Sequence, residues 1–311
     1  MKILITGSSG FIGFHLSKKL LDKGHRVYGY DSMNNYYDEK LKKARLNILK
    51  RYKNFLFTKN KLENKNSLEK VFKKFKPSVV VHLAAQAGVR YSIQKPRVYL
   101  DSNITGTYNV IEVSKKLNIK HLIMASSSSV YGANKKIPFK EIDKTETQLS
   151  IYAATKKSNE SMAHSYSNIW GVPITMLRFF TVYGPWGRPD MALFKFTKNI
   201  ILNKKINVFN YGNHSRDFTY VEDIAESILR IAVKVNKQKE SKYLIFNIGN
   251  GSPVKLLSFI KNLEVILKKK SIRNLLPLQQ GDVPNTFAST KRLTKFIKFK
   301  PQTDIKVGVK K

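Results

Sequence analysis

Residues 1–31, MKILITGSSGFIGFHLSKKLLDKGHRVYGYD, constrain the fold more than any other stretch. Lys2–Thr6 is a short apolar run and reads as a strand. The chain then turns on Gly7, Gly10 and Gly13. Helical spacing follows through Phe11, Leu16, Leu20 and Leu21, and Gly24 stops it. Val27–Tyr30 reads as a second strand ending on Asp31. A strand, a Gly-rich turn, a helix, a strand and an acid is the order that a dinucleotide site needs. Gly7 permits the tight turn, Gly10 lets the backbone approach a pyrophosphate, and Gly13 lets the helix sit close to the sheet. The helix N-terminus offers unpaired N–H groups and a partial positive charge to the phosphates. Asp31 is placed to accept from both ribose hydroxyls and would repel a 2′-phosphate, so NAD is expected rather than NADP. A glycine triplet alone also fits a turn in other α/β proteins. The two strands, the helix and the acid together favour the cofactor.

Strand and helix signals alternate beyond this point. Residues 34–50 are polar and aromatic, then helical. They are long for a connection and are expected to help cover the adenosine end of the site. Asn54–Thr58 reads as a third strand. Ser67–Lys76 reads as a helix with Ser67 as its N-cap. Val79–Ala85 is a fully apolar strand, Asn103–Lys116 a helix, and His121–Ser126 another buried strand. This repeat implies an α/β fold with a doubly wound parallel sheet and right-handed crossovers. Ligands in such sheets bind beyond the C-terminal strand ends, where Ala85–Arg90 and Ser126–Tyr131 lie.

Tyr152 and Lys156 stand four apart in a helical context, so phenol and ammonium share a face. A nearby ammonium and the positive nicotinamide ring both favour phenolate. They are expected to draw the tyrosine down toward neutrality, where it can act as a base. Such a pair is common on any helix and gains meaning from the glycine turn and the serine cluster one strand earlier.

Composition excludes several classes. There are no cysteines, so disulfide and thiolate chemistry are out. The 6 histidines show no metal-ligand spacing. No apolar run reaches the roughly 18 residues needed to span a membrane, so no membrane insertion is expected. The N-terminus does not read as a signal peptide, and a cytoplasmic enzyme is the simplest placement. The formal charge is +36, from Lys+Arg 57 against Asp+Glu 21. Nucleic-acid binding is one reading of that excess. The lysines are scattered through every expected helix and loop rather than gathered in one stripe, which favours a solvated surface and no nucleic-acid partner.

The chain resembles the extended short-chain dehydrogenase/reductase family of nucleotide-sugar enzymes. Within it, the chain is most similar to bacterial UDP-glucuronate 4-epimerases. The general markers are TGSSGFIG at 6–13, SSSSVYG at 126–132, and Tyr152 with Lys156. More specific ones are DSMNNYYDEKLKKARL at 31–46, HLAAQAGVRYS at 82–92, RFFTVYGPWGRPDMA at 178–192 and GDVPNTFAS at 281–289.

The resemblance implies that Gly7, Gly10, Phe11, Ile12, Gly13, Asp31, Leu83, Ala84 and Ala85, with Tyr152 and Lys156, hold NAD. It makes Tyr152 the base for the sugar 4-hydroxyl, Lys156 its tuner and ribose contact, and Ser127 the hydrogen-bond partner of that hydroxyl. The C4 hydrogen passes to NAD, a 4-keto sugar swings over, and C4 is inverted. Arg216 is expected at the diphosphate, with a surface ion pair to Asp217 as the alternative. Phe209 could pack on uracil, and Gln279 and Asp282 are weaker candidates for the UDP end. Ser128, Ser129, Thr181 and Arg188 are the sugar-side candidates. Arg188 faces a sugar carboxylate or, alternatively, fixes its loop through Asp190. Ser129 stands where related dehydratases and decarboxylases carry an acid, which points to plain epimerisation. Three departures stand out: Ser32, Gln280 and a loop at 59–65 without the usual adenine-side acid. Residues 1–175, with return segments near 220–248, are expected to form the NAD-binding Rossmann domain. Residues 176–311 would form a smaller mixed α/β domain for the UDP-sugar. A homodimer through the helices at 103–116 and 152–167 is expected. Two alternatives remain: an epimerase of neutral or N-acetylated UDP-hexoses, and a non-catalytic NAD(H)-sensing or nucleic-acid-binding protein.

Overall fold

The computed structural model describes residues 1–237 and 243–311. Its strands are β1 (Lys2–Thr6), β2 (Arg26–Asp31), β3 (Phe55–Lys59), β4 (Val79–His82), β5 (His121–Ser127), β6 (Ile174–Phe179) and β7 (Thr181–Tyr183). They continue with β8 (Ile206–Phe209), β9 (Ser215–Arg216), β10 (Phe218–Tyr220), β11 (Leu244–Ile248), β12 (Val254–Lys255) and β13 (Arg273–Leu276). The main sheet runs β11-β6-β5-β4-β1-β2-β3 with every pair parallel. The strand order reverses between β1 and β4, which opens a crevice above the Gly7 turn.

Both faces of this sheet are covered, as near-continuous apolar strands require. Ile3 and Ile5 point to one face, where Leu16 and Leu20 of the Phe11–Asp22 helix meet Ile224 and Ile228 of the Val221–Lys237 helix. Leu4 points to the other, against Leu68, Phe72, Val110 and Ala163. Each such fully buried side chain contributes about 1.5–3 kcal/mol. The Val221–Lys237 helix and β11 both return to the main sheet from beyond residue 220. The chain between β6 and that helix, joined by residues beyond β11, builds a smaller layer of two-stranded sheets, β7/β10, β9/β12 and β8/β13. Its core is Phe196, Ile206, Val208, Phe218 and Phe259, with Phe218 and Phe259 stacked at 4.5 Å. Among the described residues no helix is long and apolar enough to cross a membrane.

Local boundaries differ from the sequence reading in three places. The Lys65–Phe75 helix is capped by Asn64, whose Oδ1 accepts from Ser67 N at 2.9 Å, so Ser67 is inside the helix and not its cap. β4 stops at His82 because Ala85–Gly88 is drawn off the sheet; Asn103 pins Gln86 there through its N–H and its carbonyl, at 2.7 and 3.0 Å. The helix expected from Asn103 begins as α-helix only at Gly106, after a π-helical segment at Leu100–Thr105.

The Ile151–Trp170 helix is tied to the sheet by a buried network. Glu160 takes a bidentate pair from Arg178 of β6, at 2.9 and 2.8 Å, and accepts from Ser126 Oγ of β5 at 2.6 Å. The Arg178 guanidinium lies 4.8 Å from the Tyr131 ring. Breaking one half of a buried pair strands a charge. Glu160→Gln is therefore expected to cost about 3–5 kcal/mol in urea unfolding, and Glu160→Gln combined with Arg178→Met clearly less.

Candidate active site

A cleft of about 1410 Å³ runs along the C-terminal strand ends and on to the smaller layer. Its cofactor end is built from backbone. Gly7 adopts φ +76°, and a Cβ there would stand 2.8 Å from Ala84 N. A Cβ on Gly13 would lie 2.0 Å from the Gly7 carbonyl oxygen, so this position excludes any side chain. Asp31 is fixed at the end of β2 by two N–H groups: Oδ2 accepts from Ser9 at 3.0 Å and Oδ1 from Met33 at 2.8 Å. A cradle without side chains, a helix N-terminus and an immobilised carboxylate fit a dinucleotide. Gly10, Phe11, Ile12, Leu83, Ala84 and Ala85 all line this end. The adenine-side loop contributes Asn60, Lys61, Leu62 and Glu63.

Residues 34–50 line the cleft through Asn34, Tyr36, Tyr37 and Lys42. Lys42 is buried in the cleft wall, its ammonium bonded to the Asn34 carbonyl at 2.7 Å. Tyr36 reaches the sugar side and donates to Asp190 at 3.1 Å. Sequence reasoning missed both, because a polar, aromatic loop carries no periodic signal.

Ser127 ends β5, and its hydroxyl accepts from Ser129 N at 3.1 Å as the chain enters a tight turn through Ser128 and Ser129. Tyr152 and Lys156 occupy the first turns of the Ile151–Trp170 helix, capped by Ser150 Oγ on Ala153 N at 3.1 Å. Lys156 is buried and donates to the Ala125 carbonyl at 2.9 Å. Burial draws its ammonium down to about 8, with Glu160 one turn further on opposing that shift. Enclosure by the cleft walls raises the Tyr152 phenol above the ordinary tyrosine value, and only Ser127 and Arg188 pull it back. Among the protein's own groups, desolvation outweighs these two influences.

On the sugar side, Ser128, Ser129, Thr181 and Arg188 line the cleft. Arg188 Nε donates to Asp190 Oδ1 at 3.0 Å, and its Nη2 to the other oxygen. This is the loop-fixing pair that sequence allowed as an alternative. At the far end, Arg216 does not pair with Asp217. It donates to Asp282 at 2.9 Å and to the Pro284 carbonyl at 2.7 Å. Asp217 is buried and takes the N–H groups of Asn250, Gly251 and Ala288 at 2.7, 3.0 and 2.9 Å. Phe209 lines the cleft with the Arg90 guanidinium 4.8 Å from its ring. Gln279 does not line the cleft. It opens a turn closed by Asp282 N on the Gln279 carbonyl at 3.2 Å, which leaves Gln280, Gly281 and Asp282 at the wall.

One cleft thus carries a glycine turn suited to a dinucleotide, Ser127, Tyr152 and Lys156, and a far end with Arg216. The sequence pattern of the NAD dependent epimerase/dehydratase family matches residues 3–249. The chain belongs to the NAD-dependent epimerase/dehydratase family. Within that family it is 54% identical to Protein CapI of Staphylococcus aureus, over 100% of this chain and 97% of that protein. It is 46% identical to a probable UDP-glucuronate 4-epimerase of Rhizobium meliloti, over 99% of this chain and 95% of that one. The UDP-glucuronic acid 4-epimerase of Bacillus cereus, solved with UDP-glucuronic acid and NAD, superposes with a TM-score of 0.92. It shares 32% identity, over 99% of this chain and 96% of that one.

The buried lysine of this family site has a measurable cost. Lys156 binds its proton more weakly folded, near 8, than unfolded, near 10.5. The unfolded chain therefore holds more protons between those values, and stability rises with pH across that window. Lys156→Met is expected to stabilise the fold below pH 8, by at most about 3 kcal/mol. Thermal melts at several pH values should show the gain fading toward pH 10.5, where the two lysine states converge.

Proposed function

We propose that this protein is a UDP-glucuronate 4-epimerase that inverts C4 to give UDP-galacturonate. The observation that carries the reading is the shared cleft wall. Ser127, Tyr152, Lys156 and Arg188 line one cleft together with the glycine turn and Asp31, so the expected base, its serine and the cofactor cradle share a wall. The relatives named above support the choice of sugar.

NAD, when bound, takes up the C4 hydrogen with its electron pair and returns it to the opposite face. The chain supplies the rest. Tyr152 takes the proton from the 4-hydroxyl and gives it back after the sugar has turned. Ser127 holds that hydroxyl and favours the phenolate. Lys156, braced on the Ala125 carbonyl, contacts the nicotinamide ribose. Inversion needs a firm grip on the nucleotide and a loose one on the sugar. Arg216, Asp282 and Phe209 provide the grip, while Ser128, Ser129 and Thr181 offer short hydroxyl side chains that leave room to turn. Ser129 in place of an acid removes the group that would drive elimination.

In this reading residues 1–175 and the return segments bind NAD, and residues 176–311 bind the UDP-sugar. Asp31 selects NAD over NADP. A homodimer is part of the same proposal. The Gly106–Lys116 and Ile151–Trp170 helices carry Tyr108, Ile169 and Trp170, exposed by 42%, 63% and 51%, an apolar surface suited to self-association. A cytoplasmic location is in keeping with a cysteine-free chain that needs no oxidising compartment.

Incubation with UDP-glucuronate and no added NAD should give UDP-galacturonate signals in proton NMR. Tyr152→Phe should slow the reaction by about 10²- to 10⁴-fold or more. Turnover of UDP-glucose or UDP-N-acetylglucosamine without turnover of UDP-glucuronate would overturn the choice of sugar. Sedimentation as a monomer at micromolar concentration would remove the dimer.

A further inference from the structure

The block at 31–46 contains a residue that the reaction does not use. Arg45 is 0% exposed and has no carboxylate among its hydrogen-bond partners. Its Nη1 donates to the Ser9 carbonyl at 3.0 Å and to Tyr37 Oη at 2.8 Å. Its Nη2 donates to the Gly187 carbonyl at 3.3 Å and to that of Trp186. Its Nε has no partner among the described residues. A buried cation bonded only to neutral oxygens is an expensive way to fill space. Its distinctive property is reach: it joins the glycine turn to the Pro185–Gly187 turn, far along the chain.

That second turn is held from the cofactor layer at other points. One ring nitrogen of His15 is bonded to the Pro185 carbonyl at 2.9 Å and the other to Glu222 at 2.7 Å. The Phe14 ring packs against Trp186 at 5.7 Å. Trp186 itself adopts φ +56°, a left-handed conformation that a bulky side chain keeps only where its surroundings over-determine it. Arg188 follows two residues later, and its partner Asp190 is bonded by Tyr36. Beyond its own pair with Asp190, the contacts that hold the loop carrying Arg188 thus come largely from residues 14–45.

We infer that Arg45, assisted by His15, is a positioning residue for sugar recognition: it holds the Pro185–Gly187 turn, and so Arg188, in register with the glycine turn that seats the cofactor. This rests on the reading of the cleft as a site for NAD and UDP-glucuronate. Arg45→Lys keeps the charge and loses the fork that spans both turns.

The test compares UDP with UDP-glucuronate by calorimetry on the holoenzyme, in a Tyr152→Phe background so that no sugar is turned over. Arg45→Lys should weaken UDP-glucuronate about tenfold, the scale of one lost hydrogen bond to a charged group, while UDP alone stays within about twofold. Bound NAD, released by denaturation and quantified, should be unchanged. His15→Gln should shift the same ratio in the same direction by less, and it carries the test if Arg45→Lys does not fold. Equal weakening of UDP and UDP-glucuronate would overturn the inference. So would a lower melting temperature with both affinities intact, or loss of NAD alone. If the unaltered protein turns over no UDP-glucuronate, the underlying reading fails first and the inference falls with it.

Discussion

Two backbones meet where the first helix leaves the sheet, and the site depends on that meeting. The Gly13 Cα lies so close to the Gly7 carbonyl that a methyl group would overlap it at 2.0 Å. Because the contact is made, the helix N-terminus stands directly over the end of β1, and Ser9 is brought within reach of both Asp31 and Arg45. Through Arg45 the same contact extends to the Pro185–Gly187 turn. One steric condition, met by the absence of a side chain, therefore sets the distance between the cofactor cradle and the sugar-side wall.

Charge is handled differently inside and outside. The chain has few acids for its 57 basic residues, and several of those acids are buried and spent on architecture. Glu160 neutralises Arg178 and holds the reactive helix to the sheet. Asp217 is compensated by three backbone N–H groups and ties β10 to the segments at 250–251 and 288. Asp31 is held by two more. Surface pairs such as Lys18 with Asp22 are exposed and contribute little by comparison. The lysine excess is thus mainly a property of the solvated surface, while the interior is close to electrically balanced.

The parts of the fold that repeat were legible in the sequence. The first five strands follow from apolar runs, and the turn after β1 from glycines whose positions are forced by steric contact, whereas β6 was not among the strands read from the sequence. Tyr152 and Lys156 share one helix as their spacing predicted, and Ser127, named from the resemblance, ends β5 at the same cleft. What escaped was set by long-range contact. Arg45 lies in an ordinary amphipathic helix, and nothing local shows that it bonds residues 186 and 187. Asp282 as the partner of Arg216 escaped for the same reason: the alternative that the sequence offered to a diphosphate role was its neighbour Asp217, whereas folding brought in Asp282. Desolvation of the Tyr152 phenol likewise could not be read from the sequence, because only the assembled cleft walls impose it.

The position of β11 has a consequence for how the chain is made. β11 pairs with β6 along its whole length, yet some 64 residues separate the end of one from the start of the other. During synthesis β6 emerges early and stays an open, apolar sheet edge until residues 244–248 follow. The Val221–Lys237 helix that covers one face of the sheet arrives only shortly before. The main sheet therefore cannot close on the ribosome until residues 180–243, which include part of the smaller layer, have been made, whereas a simple N-terminal domain could close earlier. An edge left unpaired for that interval is the point at which a nascent chain of this architecture is most exposed to wrong pairing with its neighbours.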